Sequence, residues 1–196
     1  MSLSLVDPIV VGRERETSGV LETKYNLDNQ GFKAYDLTTP ILISDGGSHT
    51  LVFFSADKAG NNEPEQTLTF TIDKTAPSVK IASPMSRDYV RSEMILVSAT
   101  ATDVLSSVYA FGSAFDGKPV TSAYSIDSFY EKLGVHVVTA SATDVAGNAS
   151  ATSTSFRIIA TPASTVADVE KAFALGWITK KDVKEDIIQQ LKRAIK

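Results

Sequence analysis

The chain has 196 residues, of which 43% are hydrophobic and 21% charged, a composition typical of folded globular domains. It contains no cysteine, which excludes disulfide bonds, thiolate metal sites and a cysteine nucleophile. The formal net charge of -4 gives the molecule as a whole no attraction for nucleic acid, and no segment reaches the roughly 18–20 apolar residues of a membrane span.

The first elements along the chain are short runs typical of β-strands. They are rich in Val, Thr, Ile and aromatic residues, and turns containing Gly, Asn or Asp separate them. Many short strands joined by short turns indicate a β-sandwich rather than alternating strands and helices. The predicted strands are Leu21–Leu27, Phe32–Leu37, Ile41–Ser44 and His49–Asp57.

The last of these strands has a counterpart further along the chain. Five residues of one segment recur at a constant separation in the other: Gly47 and Gly134, His49 and His136, Asp57 and Asp144, Gly60 and Gly147, Asn61 and Asn148. In each copy a D-x-A-G-N turn follows the strand, and a second apolar run follows the turn. The pattern predicts a repeated fold in which each copy ends in an antiparallel hairpin.

The two copies predict two sandwich repeats, residues 1–76 and 77–161. A stretch from Ile72 to Pro77 joins them, and its proline favours extended backbone before it. Fewer residues precede the shared landmarks in the first copy than in the second, so we expect the first sandwich to be incomplete at its N-terminus, with Val6–Val11 as a partial replacement strand. An incomplete sandwich leaves an open sheet edge, which predicts a homodimer through the edge of the first repeat. The strands predicted for the second copy are Val79–Ala82, Met94–Asp103, Val108–Phe111, Tyr124–Phe129 and Val135–Asp144.

The C-terminal residues 162–196 follow a helical rather than a strand pattern. A weak capping box at Thr165 and Asp168 predicts the start of one helix, and Gly176 predicts its left-handed end. A similar box at Thr179 predicts a second helix. About 33 residues are too few to form a core of their own, so we expect this hairpin to pack on the adjoining sandwich, on a second copy or on a neighbouring domain.

Several motifs of the first copy together resemble the bacterial immunoglobulin-like repeats of secreted and surface multidomain proteins. They are a Y-x-L-D stretch, a G-x-H-T stretch, a D-x-A-G-N turn and an I-D-K-T-A-P junction, at Tyr25–Asp28, Gly47–Thr50, Asp57–Asn61 and Ile72–Pro77. The second copy keeps His136, Asp144 and Asn148 but lacks the Y-x-L-D stretch. The tail around Trp177 is similar to helical modules of the FIMAH type.

The resemblance implies a mainly β fold: two tandem immunoglobulin-like sandwiches, the first truncated, and a C-terminal α-helical hairpin. It also implies a spacer, adhesive or accessory-binding role without catalysis, in a parent protein that is extracellular or on the cell surface. The export signal is then expected outside this sequence.

The sequence offers one candidate metal site. Ca²⁺ binds about six to eight oxygen ligands, and four carboxylates stand at predicted strand ends or in the junction between repeats: Asp57, Asp73, Asp103 and Asp144. The alternative is that these side chains cap their own turns. No other cofactor is predicted. His49 and His136 occupy equivalent strand starts, which indicates a structural role for both rather than metal binding or catalysis.

Three aromatic residues recur on one predicted hairpin of the first copy: Tyr25, Phe32 and Tyr35. If exposed, they would stack on the sugar rings of a glycan, and the alternative is that they form the core or cross-strand pairs. Trp177 is predicted to act as the hydrophobic lock of the helical turn.

No sequence pattern supports catalysis. The chain has no G-x-S-x-G elbow, no H-E-x-x-H pair and no Gly-rich phosphate loop. The sequence therefore predicts a non-catalytic structural or interaction module, a spacer or adhesive repeat. The alternative is a carbohydrate-binding accessory module of an extracellular hydrolase. The expected partners are other domains of the parent protein, polysaccharide or cell-wall material, and a second copy of the chain.

Overall fold

The computed structural model describes residues 2–3, 19–121 and 123–194. The chain forms two compact units, Met1–Thr75 and Ala76–Lys196. Mostly antiparallel strands build both units, and two helices follow the last strand of the second unit, which confirms the predicted mainly β fold with a C-terminal helical hairpin. Among the helices of these residues, none is long and apolar enough to cross a membrane. The predicted strand at Val6–Val11 lies outside the described residues.

The first unit contains a four-stranded sheet and a small two-stranded one. The larger sheet has the order β3-β2-β5-β6, and the smaller pairs β1 with β4. A core of Ile41, Ile43 and Leu51 lies in this unit, with Tyr25 and Phe70 among the half-buried residues that pack against it. The strands are β1 (Ser2–Leu3), β2 (Val20–Leu27), β3 (Lys33–Ala34), β4 (Ile41–Leu42), β5 (Gly47–Asp57) and β6 (Gln66–Ile72).

The second unit is a two-sheet sandwich. One sheet has the order β11-β10-β13-β14-β8, with β8 parallel to β14, and the other has the order β12-β9-β7. The core lies between them and includes Tyr89, Ile95, Val97, Phe115 and Phe156. The strands are β7 (Ser78–Ser83), β8 (Asp88–Val90), β9 (Met94–Thr102), β10 (Val108–Phe115), β11 (Lys118–Val120), β12 (Tyr124–Asp127), β13 (Gly134–Asp144) and β14 (Ala149–Ile159).

The central strand β13 shows why this sequence forms a half-buried strand. From His136 to Asp144 every second side chain is buried, while the residues between them are more exposed. Successive side chains of a strand point to opposite faces of the sheet, so this alternation places one row in the core. The same row includes the histidine and the turn aspartate shared by both repeats.

Helices α1 (Pro162–Ala174) and α2 (Lys181–Arg193) pack on each other within the second unit. Helix α1 begins with a reciprocal capping box between Thr161 and Ser164, and Pro162 occupies the first turn. The predicted box at Thr165 and Asp168 is therefore wrong, because the helix starts one turn earlier. The predicted left-handed residue at the helix end is confirmed, since Gly176 has φ +76°.

Four strands end earlier in the structure than predicted: Phe32–Leu37, Ile41–Ser44, Met94–Asp103 and Tyr124–Phe129. For the first and the last of them the cause is an aspartate that forms a turn. In place of Phe32–Leu37 the structure has only Lys33–Ala34, because Asp36 accepts a hydrogen bond from the Thr38 backbone at 2.8 Å and forms a turn. Strand β12 ends at Asp127 rather than at Phe129, because the Asp127 carboxylate accepts the Phe129 N–H at 3.1 Å.

Candidate functional site

Each repeat contains one buried histidine whose two ring nitrogens are both bonded. In the first unit, His49 Nδ1 lies 2.7 Å from Asp28 Oδ2, and Nε2 lies 3.2 Å from the Asp45 carbonyl oxygen. The second carboxylate oxygen of Asp28 accepts the Thr50 N–H at 2.8 Å. The Asp28 carboxylate therefore links the end of β2 to the histidine ring and the backbone of β5, its neighbour in the sheet.

The second unit repeats this arrangement. His136 Nδ1 lies 2.7 Å from Asp116 Oδ2, and Nε2 lies 2.8 Å from the Lys132 carbonyl oxygen. Asp116 Oδ1 accepts the Val137 N–H at 2.9 Å. We call each such set of aspartate, histidine and carbonyl a histidine lock. The shared histidines were found in the sequence, but their aspartate partners were not, because no repeated motif singled out Asp116.

An aromatic ring stacks on each histidine. Phe70 lies 5.6 Å from His49 with 29° between the ring planes, and Phe156 lies 5.7 Å from His136 with 26°. Phe115 adds a second stacked ring to His136 at 5.4 Å. In each lock the ring nitrogens of the histidine are therefore hydrogen-bonded, while the face of the ring packs on the aromatic side chains of its unit.

Hydrogen bonds from the lock raise the pKa of both histidines. For His49 the main cause is the bond with the Asp28 carboxylate. Burial acts to lower the pKa of His136, but its bonds with the Lys132 carbonyl and with Asp116 outweigh burial and leave the pKa raised. Because both partners of each ring are acceptors, the charged imidazolium satisfies both as a donor.

The D-x-A-G-N aspartates cap their own turns. Asp57 Oδ1 accepts the Ala59 and Asn61 N–H groups at 2.9 and 2.8 Å, and Oδ2 accepts the Asn61 side-chain amide at 2.8 Å. Asp144 accepts the backbone and side-chain amides of Asn148 at 2.8 and 2.9 Å. Burial acts to raise the pKa of Asp144, but these bonds outweigh it and leave the pKa lowered.

The other two aspartates of the candidate calcium set also accept local bonds. Asp103 accepts the Leu105 and Ser106 N–H groups at 2.9 and 2.8 Å, and Asp73 accepts the Thr75 N–H at 2.8 Å. Within the second unit, carboxylate oxygens of Asp103 and Asp144 lie within 4.8 Å of each other. The calcium site at Asp57, Asp73, Asp103 and Asp144 stays a prediction.

The three aromatic residues predicted to bind a glycan do not form one flat surface. Tyr25 and Tyr35 both pack against the core of the first unit, with 86° between their ring planes. Phe32 lies against Phe54 at 5.2 Å. The structure therefore gives Tyr25 and Tyr35 core contacts, and glycan stacking by Tyr25, Phe32 and Tyr35 stays a prediction.

A cluster that the sequence did not reveal lies where helix α1 packs on the second sandwich. Lys171 donates to Asp127 Oδ2 at 2.6 Å, and Arg91 Nε lies 3.0 Å from Asp168 Oδ2. The bond from Lys171 lowers the pKa of Asp127, whereas burial raises the pKa of Asp168 against the opposing effect of Arg91. Each sandwich residue is distant in sequence from its helix partner, so no local pattern could have paired them.

Aromatic rings surround this cluster. Trp177 stacks on Phe129 at 5.4 Å with 26° between the planes, and Tyr130 stands at 73° to Trp177 with 6.1 Å between the centroids. Lys171 Nζ lies 4.5 Å from the Phe129 ring centroid and 5.1 Å from that of Tyr130. Trp177 does help to hold the hairpin to the sandwich, but it does so from the surface, where 64% of it stays exposed.

No family model and no curated protein matches the chain. Among solved structures, the fibronectin(III)-like modules of Clostridium thermocellum CbhA match with a TM-score of 0.38 and 18% identity, over 76% of this chain and 83% of that one. A Ca²⁺-stabilized adhesin with which an Antarctic bacterium binds ice matches with a TM-score of 0.31 and 16% identity, over 71% of this chain and 40% of that one. Likenesses of this size carry no information on ligands.

Proposed function

We propose that this chain is a non-catalytic interaction module, a spacer or adhesive repeat, of a larger secreted or cell-surface bacterial protein. The observation that supports this proposal is the use of both histidines in the same lock. Catalysis by a histidine requires a ring nitrogen within reach of the substrate. In His49 and His136 both ring nitrogens are occupied by protein acceptors, and both residues are buried.

Duplication of the lock strengthens the proposal. A reaction centre needs different groups that converge on one substrate. Here each repeat instead has an equivalent aspartate, an equivalent histidine ring and a main-chain carbonyl. If the lock stabilises each repeat, its contacts are expected once in every repeat, as observed. The resemblance of the sequence motifs to bacterial immunoglobulin-like repeats supports an extracellular or cell-surface location.

A carbohydrate-binding accessory module is the second candidate. The observation that favours it is the pair of exposed rings, Trp177 and Tyr130, at the junction of the sandwich and the hairpin. This function is also non-catalytic, so it refines the first proposal rather than opposing it.

The experiment measures binding and product release in the same samples. The purified chain is incubated with insoluble polysaccharides and with whole bacterial cell-wall material, and the soluble fraction is assayed for protein and for newly released reducing ends. We expect no release of reducing ends above a protein-free blank. Retention on the solid indicates an adhesive repeat, and no retention indicates a spacer.

The matched control for this experiment is a variant with both locks altered, His49→Gln/His136→Gln. Product that increases with protein concentration, and that this variant no longer releases while it remains folded by circular dichroism, would overturn the proposal.

A further inference from the structure

Two large aromatic side chains stand exposed side by side at the junction of the second sandwich and the hairpin. Trp177 is 64% exposed and Tyr130 is 58% exposed. Tryptophan is highly buried on average, so an indole with this exposure on a folded surface points to a ligand or partner. The Tyr130 ring lies 6.1 Å from the indole. We call this pair, with the Phe129 ring beneath the indole, the aromatic corner.

The backbone fixes the position of the indole. Helix α1 ends in a Schellman motif, in which the Trp177 N–H donates to the Ala172 carbonyl at 2.9 Å and the Gly176 N–H donates to the Phe173 carbonyl at 3.0 Å. Gly176 has φ +76°, which most other residues adopt only with strain. The side chain of Trp177 therefore leaves the helix end in a defined direction.

Phe129 supports the indole from below. It is only 5% exposed, and its ring lies 5.4 Å from that of Trp177, so one indole face is occupied and the exposure belongs to the rest of the ring. Arg91 donates to the Phe129 carbonyl at 2.8 Å, and Asp127 accepts the Phe129 N–H at 3.1 Å. A platform held in this way loses little conformational entropy when a ligand binds.

Two ion pairs lie beside the corner. Lys171 is bound to Asp127, and Arg91 to Asp168, so the two cations and two carboxylates compensate each other. Within the part of the chain that the structure describes, neither the Trp177 indole N–H nor the Tyr130 hydroxyl has a protein hydrogen-bond partner. An aromatic face with hydrogen-bonding groups at its rim, and with compensated ion pairs beside it, matches a neutral sugar.

We propose that the aromatic corner binds a neutral pyranose unit of a soluble glycan chain. A pyranose ring has a face of C–H groups that packs on an aromatic ring and a rim of hydroxyls that exchange hydrogen bonds with polar neighbours. The open face of Trp177 supplies the first contact, and Tyr130 supplies a hydroxyl beside it. The inference rests on the proposed function, because it assigns a ligand class to a module that carries out no reaction.

The angles between the rings also indicate whether the glycan is a soluble chain or a crystalline surface. Tyr130 stands at 73° to Trp177 and at 85° to Phe129, so the rings do not share a plane. Flat, coplanar rings suit the surface of a crystalline polysaccharide, whereas a corner fits around one sugar unit. We therefore expect binding to soluble chains and none to crystalline cellulose.

The single tryptophan of the chain makes the test direct, because all indole emission comes from Trp177. Cellohexaose, xylohexaose and N-acetylchitohexaose are titrated into the purified chain while emission is recorded, and the affinity is measured by isothermal calorimetry. We expect at least one of them to cause a saturable change in emission. Trp177→Ala and Tyr130→Ala should each lower the calorimetric affinity about tenfold or more, the loss of one ring contact.

Tyr109→Ala is the matched control. Tyr109 is an exposed aromatic residue of β10 in the same unit, 78% exposed, and its removal should leave the affinity unchanged. Trp177→Phe is a second variant for the case in which Trp177→Ala detaches the hairpin, because phenylalanine retains a ring on Phe129. We expect it to keep the melting temperature of the natural chain and part of the affinity.

The outcomes separate this inference from the proposed function. If none of the three hexasaccharides binds, or if one binds equally well to Trp177→Ala and to Tyr130→Ala, the aromatic corner is not a sugar site, while the non-catalytic module still stands. Release of shorter sugars from a bound hexasaccharide would instead overturn the proposed function.

Discussion

At the residue scale, the aspartate of each lock combines two unusual properties. Asp28 and Asp116 adopt φ +51° and +47°, a left-handed conformation that aspartate tolerates better than most residues. That backbone lets the two carboxylate oxygens reach a histidine ring and a strand amide at the same time. The sequence identified His49 and His136 through the repeat, but which carboxylate reaches each ring depends on strand pairing, which spacing alone does not give.

Removal of the carboxylate should destabilise the unit that contains it. Asp116→Ala leaves His136 and the Val137 N–H without their acceptor, and we expect a loss of about 1–3 kcal/mol in the free energy of unfolding. Urea denaturation measures this loss. Lys80→Ala, on the exposed face of β7, is the control, and it should change the stability by no more than about 0.5 kcal/mol. Equal effects of the two variants would contradict the lock.

The pH dependence of stability follows from the same contacts. The pKa of each histidine is raised above the ordinary 6.5, so the stabilisation is fully present below 6.5 and is lost as pH rises through the raised value. The pKa of Asp28 is lowered by its bond with His49, so its contribution is lost only as pH falls through that lowered value, below 3.8.

We therefore expect the melting temperature to fall as pH rises from roughly 6 to 9. The variant His49→Gln/His136→Gln should flatten that slope, which differential scanning calorimetry at several pH values would show. A melting temperature that rises over this range in the natural chain would contradict the assignment.

At the element scale, the strands shared by the two repeats were predicted well. The ends of other strands and the start of α1, which border irregular turns, were not. Predicted His49–Asp57 and Val135–Asp144 differ from the observed strands by only one or two residues at the start. Their alternation and their D-x-A-G-N turns are local signals. The start of α1 was misplaced because the true cap is Thr161, which precedes Pro162 and forms its capping box with a serine. A box closed by serine is a weaker signal in sequence than one closed by an acidic residue.

The end of α1 allows a test of its backbone conformation. Gly176→Ala places a Cβ at φ +76° and should destabilise the second unit by about 1–2 kcal/mol. Gly112→Ala is the matched control, because Gly112 lies in β10 without a positive φ and its Cβ would meet no atom within 4 Å. Thermal unfolding of both variants measures the difference. A loss at Gly112 as large as that at Gly176 would contradict the role of the Schellman motif.

The edge strand β6 is where the predicted homodimer can be tested. In the second unit β14 pairs with β8 at Arg157–Ile159, whereas β6 pairs only with β5 among the described residues. An uncharged, exposed edge strand pairs readily with another chain. We expect concentration-dependent dimerisation in analytical ultracentrifugation, which Thr69→Lys on β6 should abolish. Thr139→Lys on β13 is the control, because β10 and β14 flank that strand. A strict monomer at high concentration would contradict the prediction.

At the scale of the whole molecule, the sequence predicted a mainly β chain with a helical tail, and the structure confirms it. The boundary predicted between the repeats at residue 76 lies next to the division of the structure after Thr75, and the tail belongs to the second compact unit. The aromatic corner could not be predicted from the sequence, because Tyr130 and Trp177 come together only when the hairpin packs on the sandwich. The only local signal was an aromatic residue beside a glycine at a helix end.

The central claim is that the chain binds without carrying out a reaction. The most direct measurement is the mass spectrum of a hexasaccharide recovered after overnight incubation with the chain, at a concentration that saturates the change in Trp177 emission. We expect the emission change to be saturable and the hexasaccharide to be recovered intact. Shorter sugars in the spectrum, absent from a protein-free sample, would contradict it.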